Sequence, residues 1–206
     1  MDYGTGSLMV LDAVLLSLAA IASSQQREIV IFPEIRFAGY DKVQVSHPVT
    51  GYELSLRGSV DYTIIEIDNV DNRKARLLRP EGSQVLFLKH RNAQVLFLLV
   101  KAKYRDPEQT FASHIPEAVG QAITLMKYMN ITESRFCLSD GLNWRFYILK
   151  SEDGMLTCYG SALYCLSKDS LQESDQSLRE IMQLICEWVW PTTPDLFVLA
   201  KSAGRV

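Results

Sequence analysis

The chain has 206 residues, 48% of them hydrophobic and 22% charged, with a formal net charge of −3. That is enough for one compact domain with a real core, and the composition excludes disordered and fibrous classes. The slightly acidic total gives no global electrostatic case for nucleic acid, so any such case has to be local.

The chain opens on an apolar run from Leu8 to Ala22, too short to span a bilayer comfortably and interrupted by Asp12. Ala20-Ile21-Ala22 before Ser23 resembles a leader cleavage site, but the leading segment carries Asp2 and neither lysine nor arginine. The run is therefore read as a packed first helix, over residues 7–26. On that reading the protein is intracellular, cytoplasmic or nuclear, with secretion as the alternative and no membrane partner.

From Glu28 the period changes. Glu28 to Phe32 reads as a strand ended by Pro33, and Lys42 to Ser46 alternates apolar and polar residues. Pro48 to Gly51 is a turn signal, and Tyr52 to Glu66 reads as one or two further strands, giving an early meander. Asn69 to Arg79 is a polar connection closed by Pro80-Glu81-Gly82.

The continuous apolar run Val95 to Val100 is written as a central strand covered on both faces. The next helix is expected to start at Ser113 with Pro116 in its first turn. Ala118, Ala122, Leu125, Met126 and Met129 recur in it at helical spacing. Arg135 to Ser139, the turn Asp140-Gly141 and Asn143 to Leu149 form a hairpin, and Asp153-Gly154 repeats the signal before Met155 to Tyr159. Ser177 to Val189 is an amphipathic helix stopped by prolines.

Charge is distributed unevenly. Between Arg73 and Arg105 lie nine basic residues and one acid, Glu81, flanked by Asp68, Asp71, Asp106 and Glu108. Such a run is ordinarily a solvated face. Here it leads into the central strand, so Arg73, Lys74, Arg76, Lys89, Arg91 and Arg105 are the candidate phosphate contacts. The four cysteines contain no Cys-x-x-Cys pair and the three histidines are scattered, which argues against zinc and suits reduced thiols.

Alternate strand residues face the same way, so Asp61 shares a side with Thr63, and Lys101 with Lys103. If the two strands are neighbours, Asp61 and both lysines are expected to converge. A helix crossing there would present Glu117 and Gln121 on one face. Metal-dependent phosphodiester hydrolysis needs carboxylates on a divalent ion, with a lysine to stabilise developing negative charge.

The run Gly58-x-x-Asp61-Tyr62, the strand ending Ala102-Lys103 and the helix with Gln121 resemble the PD-(D/E)XK nuclease superfamily. More narrowly, they resemble its expanded proteins in mushroom-forming fungi. The segments 32–36, 47–54, 113–118 and 136–141 carry this narrower resemblance.

The resemblance implies a restriction-endonuclease-like α/β fold: one domain over residues 1–206, with an N-terminal helix at 7–26, a core at 28–160 and a C-terminal helix at 175–190. It also implies Asp61 as metal-binding acid, Lys103 as motif lysine, Gln121 as an assisting polar residue and Glu34 as an upstream acid. Lys101 departs from the pattern, standing where the second carboxylate belongs.

A lysine there repels a cation. Two like unit charges about 4 Å apart repel by about 4 kcal/mol at an intermediate effective dielectric, and a divalent ion doubles that. The expected function is a nuclease-like domain with a degenerate site that binds nucleic acid or another phosphate-bearing ligand. One alternative is an active Mg²⁺-dependent endonuclease using Asp61, Glu117 and Lys103; another is a protein-interaction module that keeps only the fold.

Each residue also has a plainer reading. Asp61 reads as a strand-end acid paired with Lys103, and Glu117 as a first-turn helix acid. His114 reads as a loop or capping residue, and Trp144 and Phe146 as core.

Overall fold

The computed structural model describes residues 3–23, 27–36, 43–46, 49–56, 59–68, 94–101, 110–166 and 175–189. Helix α1 (Tyr3–Ala22) is followed by strands β1 (Arg27–Arg36), β2 (Val43–Ser46), β3 (Glu53–Leu56), β4 (Ser59–Asp68) and β5 (Gln94–Lys101). Helix α2 (Thr110–Met129) leads to β6 (Glu133–Ser139), β7 (Asn143–Glu152), β8 (Met155–Gly160) and the short β9 (Tyr164–Cys165), and α3 (Gln176–Val189) comes last.

The apolar first run does fold as a packed helix, beginning at Tyr3 and ending at Ala22. Leu11, Val14, Leu15 and Leu18 are buried at helical spacing, each stabilising the fold by roughly 1.5–3 kcal/mol. No described helix is long and apolar enough to cross a membrane.

The main sheet has the order β1-β4-β5-β6-β7-β8, with β9 also pairing β7. All of its pairs are antiparallel except β5–β6, which is parallel and joined through α2. The sheet is therefore mixed, with helices on both faces. On one face α2 packs Ala118, Ala122, Leu125 and Met126 against Phe32, Phe136 and Leu138. The two alanines keep the helix close to the strands. On the other face α1 and α3 enclose Ile64, Cys137, Trp144 and Phe146, with Trp188 edge-on to Phe146 at 5.2 Å between ring centres. Trp144 and Phe146 are core residues, in line with their plainer reading.

Three local expectations need correction. Pro33 does not end the first strand. β1 runs on to Arg36 and Pro33 pairs with Tyr62, because β1 is an edge strand and a missing N–H is tolerated there. The early strands also do not form one meander: β2 and β3 make a separate two-stranded hairpin, and β1 pairs across it with β4. Helix α2 begins at Thr110, so Ser113 lies in its first turn and Pro116 falls inside the helix. Pro116 deprives the Ala112 carbonyl of its helical donor, and exposed Ala112 can turn to water instead.

Turn chemistry follows the sequence closely. Asn130 adopts a left-handed φ of 53° after α2, and the Ile131 N–H donates to the Met126 carbonyl at 3.0 Å, a Schellman closure. Asp153 and Gly154 have φ of 51° and 79°, the two-residue turn that suits the twist of β7 and β8.

Candidate functional site

β4 begins, and β1 and β5 end, at the same end of the sheet, because β4 is antiparallel to both of its neighbours. β6 is parallel to β5, so its last residue, Ser139, lies there too, paired with Lys101. Helix α2 connects those two strands and must start at this end. The topology thus gathers Glu34, Asp61, Lys101, the first turns of α2 and the β6–β7 turn at one end of the sheet.

Asp61 is half-buried near the start of β4. Its neighbours lean to opposite faces: Val60 belongs to the cluster under α2, whereas Tyr62 packs with the cluster under α1 and α3. The described β1–β4 pairs pass from Pro33↔Tyr62 to Ile35↔Val60 without a Glu34↔Asp61 pair. The register is the same on both sides of this point, so Glu34 lies beside Asp61 on the neighbouring strand.

The Tyr62 hydroxyl donates to Asp12 Oδ1 at 2.9 Å, tying β4 to α1. Burial pushes the Tyr62 phenol up to about 12, helped by that hydrogen bond and by the charges of Asp12 and Asp61. Nothing in the sequence signals this contact, which joins residues 50 apart.

β4 and β5 are neighbours, as the reading of Asp61 and Lys101 required. The described β4–β5 pairs run as far as Tyr62↔Leu99, one residue short of Asp61 and two short of Lys101. Asp61 and Lys101 therefore lie on neighbouring strands at one end of the sheet. Lys103 and Arg105 lie outside the described residues, as do Arg73, Lys74, Arg76, Lys89 and Arg91.

Helix α2 separates the two residues expected to share a face. Gln121 is 7% exposed and sits in the row that packs on the sheet with Ala118 and Ala122. The Glu117 side chain is 64% exposed and stands 3.9 Å from Nδ1 of His114. Residues four apart on a helix differ by about 40° in direction, enough to put one under the helix and the other on its rim. Nor is Glu117 a first-turn acid, since no acid stands in the first turn of α2. His114 lies inside the helix rather than in a loop before it.

One further carboxylate lies at this end. Asp140 is buried, and Oδ1 accepts from the Leu142 and Asn143 N–H groups at 3.0 and 2.7 Å while Oδ2 accepts from the Asn143 amide at 3.0 Å. Three hydrogen bonds commit it to holding the β6–β7 turn, with Gly141 at a φ of 96°. Its sequence signal was the Asp-Gly pair with Asn143 two residues on, and it marks structure.

The donor set decides how well a divalent cation suits this end. Asp61 and Glu117 do not suit it, because Glu117 faces solvent beside His114. Among the described residues no three His, Cys, Asp or Glu side chains converge. Of the expected acids, Glu34 is the one that the strand order brings beside Asp61. The chain matches no protein-family model and no curated protein.

Proposed function

We propose that the chain is a nuclease-like domain of restriction-endonuclease-like architecture whose metal site is degenerate, and that it binds nucleic acid or another phosphate-bearing ligand without cutting it. One observation carries this reading. β5 ends on Lys101 at the sheet end where β4 contributes Asp61 and α2 begins, and α2 offers no inward carboxylate to join Asp61. The mixed sheet between helices supports the fold that the resemblance implies. A cationic side chain where phosphodiester chemistry needs an anionic ligand favours holding a phosphate over activating water on a metal.

A second reading rests on Glu34, which lies beside Asp61 across β1 and β4. An Mg²⁺-dependent hydrolase built on this chain would draw its acids from those two strands and not from α2. The same assay tests both. With Mg²⁺ or Mn²⁺ present, the purified chain is expected to leave plasmid and single-stranded DNA and RNA intact while retaining them at low salt. Divalent-dependent cleavage that is lost in Asp61→Ala would overturn the first reading. Such cleavage lost in Glu34→Gln and kept in Glu117→Gln would establish the second.

A further inference from the structure

β8 is the last strand of the main sheet, and no described strand pairs with its outer edge. A sheet edge is a row of unpaired N–H and C=O groups, which monomeric proteins blunt with charge, proline or bulges. The opposite edge is blunted in that way, since β1 carries Arg27, Glu28, Pro33, Glu34 and Arg36. β8 is not. Its sequence, Met155-Leu156-Thr157-Cys158-Tyr159-Gly160, holds neither charge nor proline. It pairs with β7 over six residues without a bulge, so its outer edge, unpaired among the described residues, is a regular template. Met155 is 71% exposed and Leu156 45%.

We propose that β8 pairs antiparallel with β8 of a second copy of this chain, joining the two sheets about a two-fold axis. The strand is complementary to itself in that direction. An axis through the Thr157 pair sets Thr157 opposite its own counterpart, Leu156 opposite Cys158 of the second copy and Met155 opposite its Tyr159, each pair on a common face. The methionine thioether meets the aromatic ring, and the leucine meets the cysteine.

Charge fixes the direction. The acidic turn Glu152-Asp153 precedes β8, and antiparallel pairing brings it beside the uncharged Ser161-Ala162 of the second copy. Parallel pairing would bring it beside its own counterpart, where like charges repel. A six-residue strand pair with its flanking side chains lies at the low end of specific interfaces, so a dimer that dissociates in the micromolar range is expected.

Sedimentation velocity of the full chain from about 1 to about 100 µM tests this by mass action. The wild-type chain is expected to pass from monomer to dimer over that range. Leu156→Lys and Met155→Lys, both at exposed positions, are expected to weaken the dimer at least about tenfold with unchanged thermal unfolding of the monomer. Leu16→Lys, on the exposed side of α1, is expected to leave it unaltered. Crosslinking with a short bismaleimide gives an independent reading: dimer linkage should be lost in Cys158→Ser and kept in Cys165→Ser. A chain that stays monomeric throughout, a dimer indifferent to charge on β8, or one broken by Leu16→Lys would overturn the proposal.

Discussion

Asp140 illustrates how a single carboxylate can be settled by geometry. A buried acid with three hydrogen bonds from backbone and amide donors is fully occupied, and its removal leaves those donors dry. Asp140→Ala is expected to cost about 2–4 kcal/mol of stability, read as a lower denaturation midpoint with an unchanged slope. A change within about 0.5 kcal/mol would mean that the turn holds without it. Asp61 differs in kind, being half-buried near the start of β4 and beside another acid in the strand order. Lys101 ends the neighbouring strand β5 at the same end of the sheet. Their adjacency is what makes this end of the sheet a candidate for phosphate and Asp140 a part of the scaffold.

At the scale of elements, the β6–β7 hairpin carries a small ionic cluster at the far end of the sheet. Glu133 Oε1 accepts from Arg135 Nε at 3.0 Å, and Lys150 Nζ lies 3.2 Å from Glu133 Oε2 across the strand pair. Burial alone would raise the Glu133 carboxyl, but the hydrogen bonds and charges of Arg135 and Lys150 outweigh it and hold the group below the usual glutamate range. A depressed carboxylate stabilises the fold above its unfolded-state value, about 4.3, and loses that contribution as pH falls through its folded-state value. Glu133→Gln is therefore expected to lower the melting temperature at pH 7 and to flatten its decline below about pH 4. A variant whose acid limb matches that of the wild type would contradict this role for the cluster.

The elements also show what the amino-acid order could and could not convey. Hairpins β6–β7 and β7–β8 were legible because Asp-Gly pairs and strict alternation are local signals, and α3 because its apolar stripe is continuous. The continuation of β1 through Pro33 was hidden, since only its place at the sheet edge makes proline harmless there. The register between β4 and β5 was hidden for a related reason. Spacing within a strand fixes which residues share a face, but the register between strands is set by pairing across 25 residues outside the described structure. Gln121 and Glu117 parted company because helix spacing gives relative direction and not which row the sheet selects.

For the whole molecule, the proposed function makes one sheet end a cationic approach to phosphate, built on a scaffold whose core lies on both faces of a mixed sheet. Neutralising phosphates releases counterions, so affinity must fall with salt, and removing a lysine that neutralises a phosphate must make that fall shallower. The most direct test is binding of a labelled single-stranded oligonucleotide across a salt series, by the wild-type chain and by Lys101→Ala. Measurable affinity at low salt is predicted, with a log–log slope that is shallower by about 0.7 in the variant and unchanged thermal stability. Absence of binding at any salt concentration, or an identical slope in the two proteins, would contradict a phosphate-holding role for this end of the sheet.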